Sequence, residues 1–199
     1  LSAPSLHPWT ATPEGYARGY AFAGKDLLRG EALIGYARQA LSDSGPGALP
    51  ERLNGHFALI LKNGGETWLI ADKLKSFPLF YYADGGGFTV CDRGEYVRGH
   101  IPDATLNTRV LPHFLAAGYL FDHRTLYLHC KTVEAGSAVC LAPEKVQRFS
   151  PKAQALLPKS AASPGETMQG ARQCLLRAGE RMERFLHGRP ALIPLSGGY

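Results

Sequence analysis

With 199 residues, 45% of them hydrophobic and 20% charged, the chain is long enough for a sizeable core and has the make-up of an ordinary folded domain. Its net charge of +5 comes from 22 Lys and Arg against 17 Asp and Glu. These are scattered, with no basic run and no aromatic–basic repeat, so nucleic acid is not an expected partner. No apolar run is long enough for a bilayer and no basic-then-apolar leader opens the chain, so a cytoplasmic location without membrane contact is expected.

Residues 1–13 carry three prolines and little periodicity, and read as irregular or as an edge strand. From Gly15 to Phe22 large residues alternate with small ones. That period of two places Tyr16, Arg18, Tyr20 and Phe22 on one face of a strand, with small residues opposite, where a second layer can pack closely. Leu33, Ile34, Ala37 and Leu41 then form the apolar stripe of a helix over residues 31–41, ended by Gly45-Pro46-Gly47. A run of strands follows. Phe57–Leu61 and Thr67–Ala71 flank Asn63-Gly64-Gly65, a strong hairpin signal, and a second hairpin is expected from Phe80–Tyr82 and Phe88–Cys91. These strands are continuously apolar, which predicts a sheet covered on both faces and a layered sandwich.

From Ser150 to Ser163 the composition shifts to Ala, Pro, Lys and Ser, the signature of a linker. Ser163 and Pro164 have the residue types of an N-cap and first helical position. Met168, Ala171, Leu175, Ala178, Met182 and Phe185 recur every three or four residues as a packing stripe, and Gly188 and Pro190 stop the helix. The last stretch, Ala191-Leu192-Ile193-Pro194-Leu195, reads as a short buried strand that turns at Ser196-Gly197-Gly198. A strand running into such a small-residue turn can present backbone N–H groups to a phosphate.

None of the four cysteines forms a Cys-x-x-Cys pair, and Cys140 and Cys174 sit among apolar neighbours, so a reduced, buried set is expected. The seven histidines show no metal-ligand spacing, so no metal site of the chain's own is expected. His123, between Asp122 and Arg124, reads as part of an exposed polar turn, and Asp72 as a strand terminator.

Several of these stretches resemble the asparagine synthetase family. Leu195-Ser196-Gly197-Gly198-Tyr199 looks like the opening of its Ser-Gly-Gly-x-Asp-Ser pyrophosphate loop. The segment from Leu53 to Leu61 is similar to its Leu-x-Gly-x-Phe-Ala-Phe strand, and Ala71–Tyr81 to its Ala-Arg-Asp-x-x-Gly-x-x-Pro-Leu-Tyr-Tyr run. Phe114–Tyr119 with Arg124–Tyr127, then Val133–Val139 and Arg148-Phe149, stand in the same order as further motifs of the family. The resemblance covers roughly residues 50–199.

What it implies is an α+β fold in three parts. Residues 1–150 would be a glutaminase-like domain, an N-terminal-nucleophile αββα sandwich. Residues 151–163 would be a linker, and residues 164–199 a helix and the first strand of an incomplete ATP-pyrophosphatase domain. In the family a cysteine at position one attacks the glutamine amide, with its own α-amine as base. This sequence opens Leu1-Ser2 and has no cysteine before Cys91. The family's Asn-Gly-Glu segment has no match upstream of residue 31. Its Ala-Arg-Asp arginine is Asp72 or lost, and the glycine that follows is Lys75 or Ser76. Either the first strands are missing or the glutaminase site has decayed, so no catalytic residue is assigned.

The resemblance gives Ser196, Gly197 and Gly198 the role of binding ATP pyrophosphate, with ATP and Mg as cofactors of the complete protein and a carboxylate and an amine as substrates. A homodimer is compatible with it. The parent would be an ATP-dependent, amide-forming ligase. The alternative is a non-catalytic, glutaminase-like scaffold that binds a partner or peptide.

Overall fold

A computed structural model gives the structure of residues 7–143, 145–150 and 163–192. The chain divides into two compact units, Leu1–Ala153 and Gln154–Tyr199. The first is a mixed α+β unit built on two antiparallel sheets.

The larger sheet has seven strands: β1 (Thr10–Thr12), β2 (Gly15–Ala23), β3 (Asp26–Arg29), β4 (Leu53–Asn63), β5 (Glu66–Ala71), β9 (Ala138–Ala142) and β10 (Lys145–Phe149). They run in the order β1-β2-β4-β5-β9-β10, with β3 also on β2. The smaller sheet orders β7 (Gly87–Cys91), β6 (Phe80–Asp84) and β8 (Lys131–Thr132). Both expected hairpins form, β4–β5 and β6–β7. Of the two readings of residues 1–13, irregular or edge strand, the edge strand is found over Thr10–Thr12 as β1.

Strand alternation explains the layering, because successive side chains point to opposite faces. Phe57, Leu59 and Leu61 of β4, Trp68 and Ile70 of β5, and Ala138 and Cys140 of β9 share one core with helix α1 (Gly30–Ser44). The small face of β2 supplies Ala17 and Ala21 to that core, as its pattern predicts. Leu33, Ile34, Ala37 and Leu41 are the buried stripe of α1. The residues between them, Ala58, Leu69, Ala71, Val139 and Leu141, face the other way and pack with Leu79, just before β6, and with Tyr81 of β6.

A third cluster covers the far side of that sheet. Val97 of helix α3 (Gly94–Arg98), Ile101 and Cys130 pack there with Phe80, Tyr82 and Cys91. The succession is therefore helix, sheet, sheet and helix. Two shorter helices, α2 (Leu49–Arg52) and α4 (Leu111–Ala117), complete the unit.

In the second unit, helix α5 spans Pro164–Leu186. Ser163 caps it in a full capping box: its side chain accepts the Glu166 N–H while the Glu166 carboxylate accepts the Ser163 N–H. His187 ends the helix in the left-handed region. Three expectations are corrected here. The apolar stripe of α5 is exposed, with Met168 and Leu175 near 75%. Cys174 is exposed with it, so the cysteines are not uniformly buried. Ala191 and Leu192 belong to no strand, and Leu192 is exposed rather than buried. Ser163 apart, the linker at 151–163 lies outside the described residues, as do residues 193–195 of the expected strand and Ser196, Gly197 and Gly198.

Candidate functional site

The polar side chains that the fold gathers lie along β2, β4 and the loop from β5 to β6. On the edge of β2 opposite β4, β1 pairs with Gly15–Ala17 and β3 with Tyr20–Ala23. Between them, no strand among the described residues pairs with Arg18 and Gly19 on that side. Gly19 is held at φ +87°, and a Cβ there would lie 2.0 Å from the His56 carbonyl oxygen and 2.6 Å from the Phe77 ring. Only glycine meets both demands, left-handed backbone and close approach.

Arg18 is the centre of one cluster. Its guanidinium donates to the Asp92 carboxylate at 2.7 Å and to the His7 carbonyl at 2.9 Å, and it lies 4.8 Å from the centre of the Phe77 ring. Trp9 donates its indole N–H to the same Asp92 oxygen at 2.9 Å. Desolvation pulls the Asp92 carboxyl upward, but the Trp9 hydrogen bond and the Arg18 charge outweigh it and hold the pKa below its ordinary value. His7 moves down as well, through burial first and then the Arg29 and Arg18 charges, so its imidazole is favoured neutral.

The second cluster is a clamp around Asp72, which is 1% exposed. One carboxylate oxygen accepts the N–H groups of Phe57 and Ser76, at 3.1 and 3.0 Å. The other accepts the Leu74 N–H at 2.7 Å and the Ser76 hydroxyl at 3.2 Å. The Asp72 carbonyl accepts from Lys75 and Gly136. Asp72 thus ends β5 and fixes the loop to the second sheet, the terminator role its position predicts.

Ser76 also lies 2.7 Å from Nδ1 of His56, which suggests a serine–histidine pair. The Ser76 hydroxyl has one proton and two acceptors within reach, the Asp72 carboxylate at 3.2 Å and His56 Nδ1 at 2.7 Å, and the His56 tautomer decides which takes it. The arrangement differs from a catalytic triad in that the carboxylate sits on the serine rather than on the histidine. The Cys91 thiol points its hydrogen bond at Asp92, 3.6 Å away. The hydrogen bonds of these clusters tie β2 to Asp92 and β4 to the loop after β5.

His123 is half-buried and bonded through Nδ1 to Glu134 at 3.1 Å, more enclosed than a free polar turn. Among the described residues, no group of three or more His, Cys, Asp or Glu is placed to hold a metal ion. No described helix is long and apolar enough to cross a membrane. Sequence reading did not find the Trp9–Asp92–Arg18 cluster, because its members are up to 83 positions apart. The one local signal was a cation among the aromatic residues of β2.

No protein-family model and no curated protein matches the chain.

Proposed function

We propose that residues 1–150 are a glutaminase-like domain of the N-terminal-nucleophile type without a working hydrolytic centre. They would form the front part of an ATP-dependent, amide-forming ligase of the asparagine synthetase kind. What carries the reading is the run Ala71–Tyr81. It leaves the first sheet at Ala71, is clamped by Asp72, and enters the second sheet at Phe80 after Pro78-Leu79. Lys75 has φ +54°, the left-handed conformation that suits glycine, and is one of the two positions, with Ser76, where the family motif's glycine can fall. The stacking of helix, sheet, sheet and helix supports the same reading.

The site chemistry supports a loss of hydrolysis. The Asp72 and Asp92 carboxylates bond Ser76 and Cys91 directly, and among the described residues no histidine oriented by a carboxylate pairs with either. In the complete ligase, Ser196, Gly197 and Gly198 would supply hydroxyl and backbone N–H donors to ATP pyrophosphate, with Mg shielding its charge. The front domain would then act as a support for the ligase domain.

The test is carboxylate-dependent exchange of labelled pyrophosphate into ATP by the intact gene product, over a panel of carboxylic acids. Exchange with at least one acid, lowered about tenfold or more by Ser196→Ala, is the expected result. Absence of exchange with every acid, in a folded protein with Mg present, refutes the ligase reading.

A further inference from the structure

On the outer side of the smaller sheet, bordered by the Asp72 loop, lies a cleft of ≈ 480 Å³. That is the size of small-molecule sites in general. Phe80 of β6, Phe114 of α4 and Leu126 supply an apolar wall. Its charged lining is Lys75, Arg93 and Arg124 against the single carboxylate Glu95. An apolar cavity with an excess of cations is complementary to an anion that carries a greasy body.

Lys75 is the residue that makes the cleft unusual. Among the described residues only it and His187 are non-glycines with positive φ. Such a conformation is costly and persists where the surroundings over-determine it, which here is the Asp72 clamp. The Lys75 side chain has no hydrogen bond or ion pair with any described residue. The carboxylates that act on it from a distance are Glu134 and Asp122. Both are engaged elsewhere, Glu134 with His123 at 3.1 Å and Asp122 with Arg124 at 2.6 Å. Burial lowers the Lys75 pKa, the mark of a cation that has lost water and gained no partner. Arg93 is likewise without an ion pair among the described residues.

The surroundings extend the apolar character outward. Leu115, next to Phe114, is 75% exposed, and Phe121, which with Tyr119 flanks Leu120 of the lining, is 81% exposed. Large apolar groups left in water beside a cleft are unfavourable alone and suit a ligand longer than the cleft itself.

We propose that this cleft binds a small amphipathic carboxylate, with the head group on Lys75 and Arg93 and an acyl or aryl body against Phe80, Phe114 and Leu126. Binding here is separate from the ligase reading and holds whether or not the protein activates ATP.

The experiment is calorimetric titration of the full chain with decanoate, and with decanol as the uncharged probe of equal length. Decanoate is expected to bind one-to-one, about tenfold or more tighter than decanol, the worth of one charge-assisted hydrogen bond. Lys75→Gly suits the left-handed backbone and removes only the charge. It should melt no lower than the parent, bind decanoate about tenfold more weakly and bind decanol unchanged. Lys75→Asn, also tolerated in that conformation, serves as a second variant with the same expected loss. Arg93→Gln should give a smaller loss. Equal affinity for decanol and decanoate, unchanged decanoate binding by the folded Lys75 variants, or no saturable binding below on the order of 1 mM would each overturn the proposal.

Discussion

Asp92 shows how a single side chain can hold distant parts of the first unit together. It receives hydrogen bonds from Trp9 and Arg18 and its carboxyl is stabilised in the charged form. A carboxyl with a lowered folded pKa contributes stability above its unfolded value, near 3.8, and loses it as pH falls through the lower folded value. Asp92→Asn should therefore cost about 1 kcal/mol at pH 7 and progressively less below pH 3.8, measured by urea unfolding across pH. A cost that stays constant into acid would mean that packing, not charge, is what Asp92 supplies. The cysteines differ in the same local way. Burial, reinforced by the Glu66 carboxylate, pushes the Cys140 thiol up to about 11, so it stays protonated and unreactive at pH 8. Cys174 is exposed. A thiol reagent at pH 8 should label Cys174 first and reach Cys140 only on unfolding; fast labelling of Cys140 in a folded chain would contradict the structure.

Among the elements, the loop from β5 to β6 carries the most constraint per residue, because the Asp72 carboxylate satisfies three N–H groups and one hydroxyl. Removing it in Asp72→Ala leaves those donors without their acceptor and should destabilise the first unit by roughly 2–4 kcal/mol in chemical denaturation. A loss under about 0.5 kcal/mol would show that the clamp is redundant. For α5, Ser163→Ala deletes one half of the capping box and should reduce helix stability by about 1 kcal/mol, read as fraying of the first turn in amide exchange. Protection unchanged at residues 164–167 would contradict that role.

These elements also show how far the sequence could be read. β2, β4, β5 and α1 were legible because their periodicity is strong and each buries the face it predicts. β3 and β8 were not, being four and two residues long with no alternation to detect. The stripe of α5 was read correctly as helical and wrongly as buried, since periodicity reports a face and not what covers it. The Arg18–Asp92 pair needs tertiary folding to exist at all, and no local pattern announces it.

For the whole molecule, the first unit is a mixed α+β body on two antiparallel sheets, and in the proposed reading it is a glutaminase-like domain whose Asp72 and Asp92 carboxylates serve structure. Gly19 and the Asp72 clamp shape the surface beside β2 and β4. Its cationic and aromatic groups are already occupied with one another. A fold can be retained while its site changes, because fold and chemistry rest on different residues. The most direct measurement is glutamine hydrolysis by the 199-residue chain, followed as glutamate formed over hours. The account predicts no glutamate above the no-protein control. Steady release of glutamate, abolished by Ser76→Ala or Cys91→Ala in a protein that still folds, would contradict it and return a nucleophile to this surface.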